Sequence, residues 1–234
     1  MREQRTGSET GRTLRLPAGG VELIGDLVVP AAPAGIVLFA HGSGSGRFSP
    51  RNRQVAKALN DAGLATLLAD LLTEREDQED RSSARFRFDI PWLAARVAGL
   101  VDGVSGLPET ENLPIGLFGA STGAAAALIA AAERPDAVQA VVSRGGRPDL
   151  AGEALAQVQA ATLLIVGGND PEVLALNRQA AAHLRCEQRL VVVPDASHLF
   201  EEAGALERVA ELAADWFKGH LRAAGTAGIR RTRS

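Results

Sequence analysis

The 234-residue sequence has no tyrosine, 1 cysteine, 1 methionine and 2 tryptophans. A lone Cys186 cannot close an intrachain disulfide, so a disulfide-stapled secreted scaffold is excluded and a reducing compartment is the expected setting. No long apolar run is present. The longest, residues 124–132, covers 9 positions, about half of what a membrane-spanning helix needs, so no membrane partner is expected. Residues 1–13 are polar and lack the apolar stretch of a secretory signal, which points to the cytoplasm. Neither sign of charge dominates: 25 Lys and Arg face 28 Asp and Glu, for a net charge of -3. Without a basic stripe interleaved with aromatics, nucleic acid is not an expected partner. There is no Gly-Lys-Ser/Thr, which excludes a P-loop. No His/Cys/Asp cluster has metal-ligand spacing, so neither a metal nor a cofactor is expected.

What remains is a globular composition, 46% hydrophobic and 23% charged. One α/β domain of this size buries about 70–75% of its unfolded surface. The expected organisation is a flexible segment 1–12, a single domain 13–222 and a basic flexible tail 223–234. Short apolar runs alternate with longer segments of helical period, the pattern of a mostly parallel sheet covered on both faces. About eight strands are predicted, at 13–16, 21–29, 36–40, 65–69, 115–118, 138–142, 162–166 and 190–193. The first two flank Pro17-Ala18-Gly19-Gly20 and read as an antiparallel hairpin. Ser49 reads as an N-cap with Pro50 at the first helical position. Further helices are predicted at 91–104, 122–133, 150–158, 171–184 and 205–221. Residues 73–87 are crowded with charge and read as a solvated loop hanging over a site.

The chemistry-bearing signal begins at Gly119-Ala120-Ser121-Thr122-Gly123. It lies where a strand meets an Ala-rich helix and fits the G-x-S-x-G nucleophile elbow, whose sharp turn needs small neighbours and projects the serine oxygen above the sheet. The motif alone is weak, since about one shuffled chain of this composition in eight would carry it. A serine hydroxyl is a poor nucleophile at neutral pH and needs a base, and the base needs an orienting group. His198, in Asp195-Ala196-Ser197-His198, follows the last predicted strand. Asp170, in Gly167-Gly168-Asn169-Asp170, follows the strand before it. Both therefore lie on the edge where the loops of a parallel sheet gather around a site. Asp170 before Pro171 is also a good helix N-cap, and a lone histidine at a strand end is commonly just a polar loop residue. Three required residue types in the order Ser121, Asp170, His198, each after a strand, favour the triad over three accidents.

The glycine-rich run His41-Gly42-Ser43-Gly44-Ser45-Gly46 follows another strand. Acyl transfer builds charge on the carbonyl oxygen, and the amides of Ser43 and Thr122 are the expected oxyanion donors. A dinucleotide-binding turn would also use Gly42, Gly44 and Gly46 with Asp70 after the next strand. That fingerprint opens a helix directly, however, whereas this helix starts only near Pro50.

On these residues the chain resembles the α/β-hydrolase superfamily, and within it the dienelactone hydrolase-like family, over about residues 21–221. The most specific segments are residues 41–47, the Ser121 elbow, Ser143-Arg144-Gly145-Gly146-Arg147, and Asp195-Ala196-Ser197-His198. The resemblance implies an α/β-hydrolase fold without a cap domain and cleavage of small carboxylic esters or lactones. It departs at the nucleophile, which in dienelactone hydrolases is cysteine and here is Ser121. His41, Arg47 and Arg144 are candidate substrate-binding residues, with Arg51 and Arg147 near the same mouth, because guanidinium groups suit a substrate carboxylate. The same residue pattern would also serve an acyltransferase, a peptidase or a non-catalytic accessory domain. A small-molecule partner and a monomer or homodimer are expected.

Overall fold

A computed structural model of the protein describes residues 10–222; the predicted tail lies outside the described residues. Strands β1 (Thr10–Ala18) and β2 (Val21–Val29) form the expected hairpin, turning at Gly19 and Gly20 with φ of 55° and 82°. Positive φ at both positions matches the right-handed twist of the strands it joins. β1 begins at Thr10, paired with Val29, so part of the segment expected to be flexible belongs to the sheet.

Strand β3 (Ile36–Ala40) leads through the glycine-rich loop into α1 (Pro50–Asp61). Ser49 caps this helix by accepting from Asn52 N at 3.4 Å. β4 (Ala65–Ala69), α2 (Glu74–Ser83) and α3 (Ile90–Ser105) follow. Then come β5 (Ile115–Ala120), α4 (Thr122–Glu133), β6 (Val138–Arg144) and a 3₁₀ segment (Pro148–Gln157). β7 (Ala161–Gly167), α5 (Pro171–Ala181), β8 (Gln188–Val193) and α6 (Ala205–His220) complete the fold. The eight strands form one sheet in the order β1-β2-β4-β3-β5-β6-β7-β8. β2 runs antiparallel to β1 and β4; the pairs from β4 through β8 are parallel. No cap domain is inserted among the described residues, and none of their helices is long and apolar enough to cross a membrane.

Two apolar layers sandwich the sheet, because alternate strand residues point to opposite faces. On β3, Ile36 and Leu38 join one layer with Val97, Val101 and Leu128 of α3 and α4, while Val37 and Phe39 join the other with Val55, Leu59, Val209 and Phe217 of α1 and α6. Each such fully buried side chain contributes about 1.5–3 kcal/mol of transfer free energy.

Two expectations fail locally. Residues 73–87 are not an open loop: Thr73 and Glu76 form a reciprocal capping box, with Glu76 N donating to Thr73 Oγ1 at 3.3 Å and Thr73 N to Glu76 Oε2 at 2.8 Å. The helix they start is polar all round yet tied down. Asp80 is buried and accepts from Phe86 N at 2.7 Å and Arg87 Nε at 2.6 Å. The helix expected at 150–158 is instead 3₁₀ turns interrupted at Gly152, whose φ of 55° and ψ of -130° no helix accommodates.

Candidate active site

The turn from β5 into α4 is built by steric necessity. A Cβ on Gly119 would lie 2.4 Å from Ala124 Cα, and one on Gly123 would lie 2.2 Å from Ala40 O. Both contacts are with backbone, so neither position accepts a side chain while the helix start is seated against β3 and β5. Between them Ser121 is held at φ 51° and ψ -125°, a region that non-glycine residues occupy only where the surroundings enforce it. Its amide donates to Arg144 O at 3.3 Å and its carbonyl accepts from Arg147 N at 3.0 Å. Ser121 occupies the N-cap position of α4 but makes no capping bond. Instead it lines a cavity of about 210 Å³ together with His198, and among the described residues its hydroxyl has no hydrogen-bond partner: the structure brings His198 to the same cavity without a bond between the two side chains.

Asp170 and His198 come from the loops after β7 and β8, which are fastened to each other. Asn169 N donates to Ala196 O at 2.9 Å and Asn169 Nδ2 to Asp195 O at 2.8 Å. A Cβ on Gly167 would sit 2.3 Å from Ala196 O, so the close approach of these loops requires glycine there. The result is a bond of 2.7 Å between His198 Nδ1 and Asp170 Oδ2. With the carboxylate accepting, Nδ1 carries the hydrogen, and in the neutral imidazole the lone pair is then on Nε2. The other oxygen of Asp170 accepts from Val173 N at 3.3 Å and caps α5. One carboxylate thus caps α5 with one oxygen and accepts from the imidazole with the other.

The two expected oxyanion donors lie side by side, but they are not equally open. Ser43 N donates to Thr122 Oγ1 at 3.1 Å. Thr122 N sits at the first helical position, where no intrahelical acceptor exists. The threonine hydroxyl thus fixes the glycine-rich loop over the start of α4 and occupies one donor.

Of the residues expected to bind substrate, the structure separates one from two. Arg144 lines the cavity beside Ser121, as does Arg51. His41 instead is buried, and its Nε2 accepts from Leu71 N at 3.0 Å while Nδ1 faces Gly42 O at 3.0 Å. It staples the end of β3 to the end of β4, and burial lowers its pKa against the opposing pull of the Gly42 carbonyl, Asp70 and Asp77. Arg47 is also spent internally: its amide donates to Asp70 Oδ1 at 2.8 Å, its guanidinium pairs with the same carboxylate, and Nε reaches Asp26 at 3.5 Å. Asp70 therefore orders the loop it follows in space. Arg147 is engaged with Asp149 at 2.8 Å and 2.9 Å. Asn52, which also lines the cavity, escaped the sequence reading. Its signal was a polar residue on the first turn of a helix that leaves a glycine-rich loop.

A family model described as an alpha/beta hydrolase domain matches residues 33–214. The chain is 56% identical to a dienelactone hydrolase from Anabaena variabilis, with a TM-score of 0.90, covering 92% of this chain and 99% of that one. It therefore belongs to the alpha/beta hydrolase family, in its dienelactone hydrolase-like branch. It is also 55% identical over 215 residues to two Mycobacterium tuberculosis proteins given the provisional name phosphoribosyl transferase, covering 92% of this chain and 48% of theirs. The chain spans about half the length of these curated relatives. A dienelactone hydrolase-like promiscuous phosphotriesterase from metagenomic libraries shares the fold at 19% identity and a TM-score of 0.75, covering 92% of this chain and 100% of that one.

Proposed function

We propose that this chain is a serine hydrolase that cleaves small carboxylic esters or lactones through an acyl-enzyme. The observation that carries the reading is the 2.7 Å carboxylate–imidazole pair facing a strained, non-capping serine across one small cavity. His198 Nε2 takes the proton of Ser121 as its Oγ attacks the acyl carbon, and Asp170 stabilises the imidazolium that forms. The developing oxyanion is held by the Thr122 amide and by the Ser43 amide, which leaves the neutral Thr122 hydroxyl for a stronger, charged acceptor. Collapse expels the alcohol, which takes the proton from His198. Water then gives a proton to His198 and attacks the acyl carbon, and on collapse His198 returns that proton to the departing Ser121 Oγ, which releases the acid and restores the enzyme. The phosphoribosyl transfer named for the longer mycobacterial relatives belongs, on this reading, to the half of those proteins that this chain does not span.

The test is Ser121→Ala. Turnover of 4-nitrophenyl acetate and covalent labelling by a fluorophosphonate probe are both expected to vanish, with the thermal midpoint held within about 2 °C, because the side chain makes no hydrogen bond that folding depends on. Undiminished turnover in this variant refutes the assignment. A wild-type protein that the probe fails to label points instead to a non-catalytic binding domain.

A further inference from the structure

The cavity at Ser121 contains two arginines and, among its described lining residues, no carboxylate; Arg51 and Arg144 share it with Ser121, His198, Ser49 and Asn52. Arg144 is only 7% exposed, and its Nε and Nη1 are buried without a hydrogen-bond partner. Burial first, and repulsion from Arg51 second, push its pKa down to about 10, so it is still a cation at neutral pH. Elsewhere the same fold pairs its less exposed guanidinium groups with care: Arg47 with Asp70, Arg87 with Asp80, Arg96 with Glu76. A buried cation without a counter-ion is costly, and a ligand anion is the partner this one lacks.

Arg144 is not the only positive group at the cavity. Arg51 reaches Glu201 at 3.2 Å through Nη1, but its Nε is also buried without a partner. The first turns of α1 and α4, which carry the positive ends of two helix dipoles, both open on the cavity through Ser49, Arg51, Asn52 and Ser121. A phosphomonoester, with a charge of about -1.5 to -2 and three acceptor oxygens, suits such a set. Arg144 is also adjacent to the nucleophile, since it pairs with Ala120 across β5 and β6 and its carbonyl accepts from Ser121 N.

We infer that Arg144 and Arg51 form a phosphate subsite beside Ser121, so that the ester or lactone cleaved here carries a phosphomonoester close to its scissile carbonyl. The ester or lactone part of this statement rests on the function proposed above; the phosphate subsite does not.

Calorimetric titration of the full chain at low ionic strength separates the two. Inorganic phosphate is expected to bind saturably, at least ten-fold tighter than succinate, and neutral trimethyl phosphate is expected not to bind. Arg144→Gln should weaken phosphate at least ten-fold. Arg51→Gln, at a part-exposed side chain, should weaken it several-fold in a protein whose fold is not in question. Arg144→Gln should melt no lower than wild type, whereas a structural arginine would lower the melting point when lost. Absence of saturable phosphate binding, succinate binding as tight as phosphate, or undiminished phosphate binding in Arg144→Gln overturns the subsite. In turnover, a γ-lactone bearing a phosphomonoester should exceed the same lactone bearing a hydroxyl by at least thirty-fold in kcat/KM. That ratio should collapse toward one in Arg144→Gln. Preference for the dephosphorylated lactone overturns the substrate assignment, while retained turnover in Ser121→Ala overturns the hydrolase reading and leaves the binding result standing.

Discussion

Asp170 holds two partners with its two oxygens, His198 Nδ1 at 2.7 Å and the α5 amide of Val173 at 3.3 Å, and a pair of substitutions separates them. In Asp170→Asn the amide oxygen still caps the helix, and Asn and Asp are nearly equivalent caps, so stability should change by no more than a few tenths of a kcal/mol. The imidazole, however, loses its anionic acceptor, and an amide N–H facing Nδ1 selects the tautomer in which Nε2 is already protonated. Turnover should then fall on the order of 10⁴-fold, equivalent to about 5.4 kcal/mol of transition-state stabilisation. Asp170→Ala loses the same catalytic contribution and also the cap, costing about 1 kcal/mol and lowering the thermal midpoint by about 2–4 °C. The measurements are the rate of fluorophosphonate labelling, which reports the nucleophilicity of Ser121 directly, and thermal unfolding of each variant. If Asp170→Asn labels within ten-fold of wild type, the carboxylate is a helix cap and nothing more, and the triad assignment fails.

Other consequences follow from the same geometry. Gly123→Ala places a Cβ 2.2 Å from Ala40 O, and since backbone must move, unfolding should become easier by about 3 kcal/mol, read as a melting point about 6–12 °C lower. His41 has its pKa lowered by burial, so the unfolded chain takes up its proton first. Stability present above pH 6.5 should be lost as pH falls, with a slope of up to about 1.36 kcal/mol per pH unit. His41→Gln, which can still accept from Leu71 N, should remove that part of the slope in urea unfolding at pH 7 and 5, and identical slopes would contradict the neutral, accepting histidine. Arg144→Met removes an unpaired buried charge and should raise stability by about 1–3 kcal/mol; a lowered melting point would show that the guanidinium is structural. Thr73→Ala should cost about 1 kcal/mol through loss of the α2 cap, measured by chemical unfolding.

Much of the fold was written in local pattern. Runs such as Ile36 to Ala40 and Ile115 to Phe118 are apolar at every position because both faces of a parallel strand are covered, and that signature needs no tertiary knowledge. The α2 helix was missed for a physical reason: its charged residues 74–83 have no apolar period, and its existence rests on a capping box and on Asp80 finding Arg87. Thr73 and Glu76 at cap spacing were the readable signal, outweighed by composition. At the site, the order Ser121, Asp170, His198 and the small residues around Ser121 could be read directly, because the elbow and the strand ends are local features.

Which arginine is available to a ligand could not be read that way. Arg47, Arg51 and Arg144 are equivalent in sequence, and only the packed chain sets Asp70 and Asp26 against Arg47 and Glu201 against Arg51, while Arg144 is left buried and unpaired. Residue type and spacing determine what chemistry a segment can supply, since they act through bonds and short-range propensity. Charge partnership and burial depend on residues tens or hundreds of positions apart, so they exist only once the sheet has brought its loops to one edge.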